Sequence, residues 1–101
     1  NCILGSHVEI ARSRLGNNIK ISHQAYIGDA IINDESIIGA GSIFCNFDGT
    51  QRQHSCIDKN VMIGSGTIIV SPVHIGHSSV IGAGSLITKD IKPNSLIIQK
   101  R

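Results

Sequence analysis

Tryptophan is absent from the 101-residue chain, and aromatic residues make up only 3% of it. A core without aromatics must be filled by small branched side chains. Isoleucine, valine and leucine suit repeated strand layers better than an irregular globule. Long apolar runs are missing too: none approaches the roughly 18 residues of a membrane-spanning helix, so no membrane insertion is expected. No signal peptide is visible. Neither sign of charge dominates, the net charge being +2. There is no basic stripe with interleaved aromatics, which argues against nucleic-acid binding and leaves room for a local cationic patch suited to phosphates. The three cysteines, Cys2, Cys45 and Cys56, are odd in number and lack Cys-x-x-Cys spacing. They read as free, mostly buried thiols in a reducing cytoplasm. The length allows one domain, residues 1–101, and no second core. Asn1 opens directly in a repeat, so the chain is expected to be a fragment of something longer.

What the chain does have is a period. Aliphatic or aromatic anchors recur every six positions: Leu15, Ile21, Ile27; then Ile32, Ile38, Phe44; then Ile57, Ile63, Ile69, Ile75, Ile81, Ile87. Leu4 and Ile10 extend the series backwards, with five-residue steps from 10 to 15 and from 27 to 32. Glycine often follows the anchor, as at Gly16, Gly28, Gly39, Gly64, Gly76 and Gly82. Four places after the anchor stands a small or β-branched residue, such as Ala25, Ser36, Ser42, Val61, Thr67, Val73, Ser79 or Ser85. A period of six excludes an amphipathic helix, whose period is about 3.6. It fits one short strand plus one corner. Three such units make a triangular turn with the anchor pointing inward and parallel pairing between coils about 4.8 Å apart. The glycine after the anchor is expected to supply corner backbone angles that a Cβ would hinder. The fold class is therefore all-β, a parallel β-helix of about five coils. One step departs from the period: 44 to 57 is 13, seven more than a repeat. A loop over residues 46–55 must leave the helix there, and Asp48-Gly49 is its turn signal. A short segment, residues 92–101, follows the last anchor.

Stacking the coils brings chemistry into one column. The corner two residues past the first anchor of each coil holds Ser6, His23, Ala40, Ser65 and Ala83. The last three are flanked by glycines, as Gly39-Ala40-Gly41, Gly64-Ser65-Gly66 and Gly82-Ala83-Gly84. They form a groove poor in side chains, with exposed backbone amides and carbonyls. An extended chain carrying its own amides fits such a groove, and the pantetheine arm of coenzyme A has that shape. His23 stands one coil back in the same column, where a thioester would end. A histidine there can take a proton from an attacking amine, general-base help worth about 10²–10⁴-fold. The other histidines fit less well: His7, His74 and His77 read as surface residues, and His54 as a loop residue within reach of a ligand.

These residues carry a family resemblance. The six-residue repeat resembles that of the hexapeptide-repeat acyltransferases, whose β-helix is left-handed. The stretches His23-Gln-Ala-Tyr-Ile-Gly-Asp-Ala30 and Ile38-Gly-Ala-Gly-Ser-Ile-Phe-Cys-Asn-Phe-Asp-Gly49 are similar to one branch of it. That branch comprises the C-terminal acetyltransferase domains of the bifunctional glucosamine-1-phosphate acetyltransferase / N-acetylglucosamine-1-phosphate uridyltransferases of bacterial cell-wall synthesis. The similarity runs from about Val8 to the end of the chain. It implies His23 as catalytic base with Glu9 orienting it. It implies Asn46 at the acceptor amine, Tyr26 on the sugar phosphate, and Arg52 in place of a phosphate-binding lysine. Ala40, Ser65 and Ala83 match contacts to acetyl-CoA, and Lys100 or Arg101 replaces an arginine for the CoA phosphates. Ala11 stands where the family has a second phosphate-binding lysine, Ile37 where it has a sugar-binding asparagine, and Phe47 where it has tyrosine.

The resemblance thus implies an acetyl-CoA-dependent N-acetyltransferase, with acetyl-CoA as co-substrate, no metal in this domain, and an amino-sugar phosphate, glucosamine-1-phosphate first, as acceptor. Two acceptor readings stay open: the same substrate in a divergent enzyme, or another amino sugar. It also implies a homotrimer with active sites between subunits, because a lone prism would expose long apolar faces. A non-catalytic β-helix scaffold is the alternative from another class. Histidine spacing does not suggest a zinc lyase, and no regular Thr-x-Thr ladder supports ice binding. The chain holds no phosphate-cradling glycine loop, so it should not make UDP-N-acetylglucosamine alone.

Overall fold

The computed structural model describes residues 2–47 and 49–98. Every strand pairing between coils is parallel, and no helix occurs among the described residues. Three sheets form the sides of a triangular prism. Sheet 1 stacks Ile3–Leu4, Lys20–Ile21, Ile37–Ile38, Met62–Ile63, Val80–Ile81 and Leu96–Ile97. Sheet 2 stacks Glu9–Ala11, Tyr26–Gly28, Ile43–Cys45, Ile68–Val70 and Leu86–Ile87. Sheet 3 stacks Arg14–Leu15, Ala30–Ile32, Ser55–Ile57 and His74–Ile75.

The sequence anchors are the core. Ile21, Ile27, Ile32, Ile38, Phe44, Ile57, Ile63, Ile69, Ile75 and Ile81 all retain 1% exposure or less. Full burial of such a side chain contributes about 1.5–3 kcal/mol each relative to exposure. Leu4, at the end of the stack, has no coil beyond it and remains 49% exposed. The small residues four places on are buried at the corners, and their hydroxyls tie coil to coil. Ser36 Oγ donates to the Asp58 carbonyl at 2.9 Å and accepts from the Val61 amide at 3.2 Å. Ser79 does the same with the Lys92 carbonyl and the Ser95 amide.

The glycine after the anchor serves a purpose other than the one its position suggested. A Cβ on Gly39 would lie 2.5 Å from the Ser65 amide nitrogen, and one on Gly64 would collide with the Ala83 backbone. These glycines let successive coils approach. The left-handed backbone angle belongs to the residue two places later, at Gly41, Gly66 and Gly84 with φ of 71–73°, where a Cβ would meet open space. At the corner between sheets 3 and 1 the same angle is taken by Asn18, Glu35, Asn60, Ser78 and Asn94.

The corner between sheets 2 and 3 is where coils differ. In the first two coils it is one residue short, matching the five-residue steps. In the third the chain leaves after Cys45 and returns at Ser55. An antiparallel bridge between Phe47 and Arg52, and a hydrogen bond from the Gln53 amide to the Asn46 carbonyl at 2.6 Å, close this excursion on itself. After Ile87 the described chain keeps winding: Ile91 bridges Ile75, and Leu96–Ile97 pairs with Val80–Ile81. The step from 87 to 91 is four, so a strict six-residue count loses the register there.

All three cysteines are free, but mostly buried they are not. Cys2 and Cys45 are exposed and only Cys56 is half-buried. In the strands of Cys45 and Cys56 the inward places are taken by the anchors Phe44 and Ile57, and Cys2 precedes the first strand at the end of the stack.

Candidate active site

Sheet 2 separates two edges on which the candidate residues fall. At its edge with sheet 1 the column of Ser6, His23, Ala40, Ser65 and Ala83 forms as the spacing implies. Successive corners are joined by amide-to-carbonyl bonds from Gln24 to Ser6 (2.9 Å), Gly41 to His23 (3.1 Å), Gly66 to Ala40 (2.8 Å) and Gly84 to Ser65 (2.8 Å). The groove is therefore poor in side chains, but these corner amides are already engaged between coils. What a ligand meets there is a smooth surface more than a row of free donors. His23 is exposed in its turn, and among the described residues its ring has no hydrogen-bond or ion-pair partner within the prism. Glu9 lies on sheet 2 opposite Tyr26, and no bond joins it to His23.

The other edge, between sheets 2 and 3, holds a connected polar network. Asp29 is 3% exposed and sits in the left-handed region at φ 51°. Arg12, at the same corner one coil below, grips it with two bonds: Nε to Oδ1 at 2.9 Å and Nη2 to Oδ2 at 3.1 Å. Bidentate pairing of this kind is the strongest carboxylate contact available to a side chain. Asn46, where the loop departs, donates from Nδ2 to Asp29 Oδ2 at 2.6 Å and to the Tyr26 hydroxyl at 3.2 Å. Hydrogen bonding to Arg12 holds the Asp29 carboxyl below its ordinary range, against the opposing pull of burial. The same bond raises Arg12. Gly28 makes the arrangement possible, because a Cβ there would collide with Asn46 Nδ2 and lie 2.5 Å from the Tyr26 hydroxyl oxygen.

Beside this network opens a cleft of about 630 Å³, lined by Arg12, Ser13, Arg14, Asp29, Ala30, Ile31, His54 and Ser55. Arg14, and Arg12 paired with Asp29, place two guanidinium groups on its wall. Arg52 is exposed on the loop. Ala11 is half-buried at the end of its strand, and Ile37 is an outward residue of sheet 1. The structure thus joins Tyr26 and Asn46, sets Glu9 beside Tyr26 on the adjacent strand, and leaves His23 and the column of Ala40, Ser65 and Ala83 at the other edge of sheet 2. Lys100 lies outside the described residues, as do Arg101 and Asp48.

The bacterial transferase hexapeptide (six repeats) family matches residues 57–89. The bifunctional protein GlmU of Lawsonia intracellularis is 50% identical over 97 residues, which is 96% of this chain and 21% of that protein. The chain spans about a fifth of the length of the curated relatives it matches. A maltose O-acetyltransferase from Clostridium difficile 630 has a TM-score of 0.87 at 23% identity, over 95% of this chain and 60% of that one. A hexapeptide-repeat acetyltransferase from Vibrio cholerae complexed with acetyl coenzyme A has a TM-score of 0.74 at 22% identity, over 91% and 63%. The prism is a left-handed parallel β-helix, the fold it shares with these hexapeptide-repeat structures.

Within this prism the residue that sequence reasoning left without a role is Asp29. It sits inside the motif that carries the family resemblance and is the hub of the network. The signal for its partner was present: Arg12 and Asp29 are 17 apart, the same spacing that separates Ile3 from Lys20 and Lys20 from Ile37 in the register of sheet 1. No helix among the described residues is long and apolar enough to cross a membrane.

Proposed function

We propose that this chain is an acetyl-CoA-dependent N-acetyltransferase whose acceptor is an amino-sugar phosphate, glucosamine-1-phosphate first, in cytoplasmic synthesis of cell-envelope precursors. The observation that carries the reading is the side-chain-poor column of Ala40, Ser65 and Ala83 together with the exposed ring of His23 at its end. In this account the pantetheine arm lies along the small residues of one subunit and brings the thioester toward His23 of the neighbouring subunit. His23 takes a proton from the sugar amine as its nitrogen attacks the acetyl carbonyl. The tetrahedral adduct then collapses, the amide forms, the C–S bond breaks, and the coenzyme A thiolate takes up a proton. Glu9 orients His23, and Asn46 contacts the acceptor amine. Tyr26 and Arg52 hold the sugar phosphate, helped by the guanidinium groups of Arg12 and Arg14 in the cleft. Lys100 meets the CoA phosphates.

A homotrimer with the active site shared between subunits belongs to this reading. It is supported by the outward faces of sheets 1 and 2. Ile3, Ile37, Met62, Val80 and Leu96 are exposed on the first, and Ile43, Ile68 and Leu86 on the second. Apolar stripes of that length call for a partner surface. A second acceptor reading, another amino sugar, is favoured by Ala11 and Ile37, which remove two polar contacts. One lost charge-assisted hydrogen bond weakens binding by about 1.5–3 kcal/mol, or one to two orders of magnitude. Mass-spectrometric detection of acetylated product from acetyl-CoA and a panel of amino sugars tests both. Glucosamine-1-phosphate should give the highest kcat/KM. A preferred acceptor without phosphate would move the assignment to the second reading, and no product from any amino sugar would remove both.

A further inference from the structure

We infer that the outer face of sheet 3 carries a binding site for one borderline divalent cation of the zinc class, held by Cys56, Asp58 and His74. This inference does not depend on the acetyl-transfer reading. Cys56 and His74 are register partners on adjacent coils, so their side chains stand side by side on the same face. Asp58 follows two residues after Cys56. His74 Nε2 lies 2.9 Å from Asp58 Oδ1, and Cys56 Sγ lies 3.8 Å from the same oxygen. All three donor atoms fall within 4.8 Å of one another. Tetrahedral zinc with a thiolate, an imidazole and a carboxylate needs donor separations of roughly 3.3–3.7 Å, so shifts of about an ångström or less close the site. The donor set mixes sulfur, nitrogen and oxygen, which selects zinc-like ions over magnesium or calcium.

Binding a cation displaces the Cys56 proton to solvent: Sγ⁻ binds the metal, and Asp58 exchanges its bond to His74 for one to the ion. His74 must then keep its proton on Nδ1 and offer the Nε2 lone pair. The fourth position faces a cleft shared by His54, Pro72 and Asp90, open to water or to His54. The site would fasten the strand by which the long loop rejoins the prism to the coil above it.

Cobalt titration of the intact chain carrying Cys2→Ser and Cys45→Ser tests the inference. One Co²⁺ per chain should produce a thiolate-to-cobalt charge-transfer absorption that added Zn²⁺ abolishes. Cys56→Ala should lose the absorption, and His74→Ala should bind at least about tenfold more weakly. Zn²⁺ should raise the melting temperature of the parent and leave that of Cys56→Ala unchanged. Absence of a thiolate band at saturating cobalt, an unchanged band in Cys56→Ala, or unaltered affinity in His74→Ala would each overturn the site. His74→Ala changes an exposed side chain, so it serves as the test should Cys56→Ala melt abnormally without metal.

Discussion

At the scale of single residues the polar network at the corner between sheets 2 and 3 turns on Asp29. Its carboxylate accepts from Arg12 and from Asn46, and it is these bonds that keep it ionised although buried. A carboxyl whose folded value is depressed contributes stability that is complete above its unfolded value and is lost as pH falls through the folded one. The melting temperature of the wild type should therefore fall on the acid side. Asp29→Asn should melt lower at neutral pH and show a flatter acid flank, read by circular dichroism across pH 2–7. An unchanged acid flank in Asp29→Asn would remove Asp29 from that role. Gly28→Ala should perturb the same network sterically, reducing turnover with amino-sugar phosphate more than acetyl-CoA binding, which the proposed function assigns to the opposite edge of sheet 2. The placement of the column at the other edge of sheet 2 was legible in the sequence. His23, Ala40, Ser65 and Ala83 emerge from the six-residue count because that count fixes which corners coincide. Asp29 and Arg12 stand at the 17-residue coil spacing too, but a charge pair leaves no hydrophobic pattern to draw attention to it. Cys56 and His74 were likewise invisible as neighbours: they look unrelated until the coil that separates them is closed.

At the scale of the coil the two glycines of each Gly-x-Gly corner have different physical reasons to be there. The first lets the next coil approach, and the second adopts positive φ in open space. Gly64→Ala should accordingly force the backbone at Ala83 outward and lower the melting temperature most. Gly66→Ala should cost only about 1 kcal/mol, the penalty of a Cβ in the left-handed region. Gly66→Asn should cost less than Gly66→Ala, since asparagine takes this conformation readily and does so here at Asn18, Asn60 and Asn94. Thermal denaturation of the three variants gives the order. Equal losses at both glycines would contradict the division of labour. The strand anchors were readable because inward residues must be apolar in every coil. The role of the first glycine was not, because crowding between coils depends on their spacing and not on any local propensity.

At the scale of the whole molecule the two apolar faces and the two separated edges of sheet 2 point to one arrangement. In the proposed trimer, His23 of one subunit faces the small-residue column of its neighbour. Mixed trimers of His23→Ala chains and Ala40→Trp chains should then recover activity that neither variant has alone, because some interfaces combine an intact histidine with an intact groove. No recovery on mixing, with subunit exchange verified by native mass spectrometry, would put the site within one prism. The central claim is acetyl transfer with His23 as the base, and one comparison tests it most directly. Wild type and His23→Ala are supplied with acetyl-CoA and glucosamine-1-phosphate, product is quantified by mass spectrometry, and acetyl-CoA affinity is measured in parallel. The account predicts product formation lower by about 10²–10⁴-fold in the variant with acetyl-CoA affinity unchanged. Equal product from both proteins would contradict it.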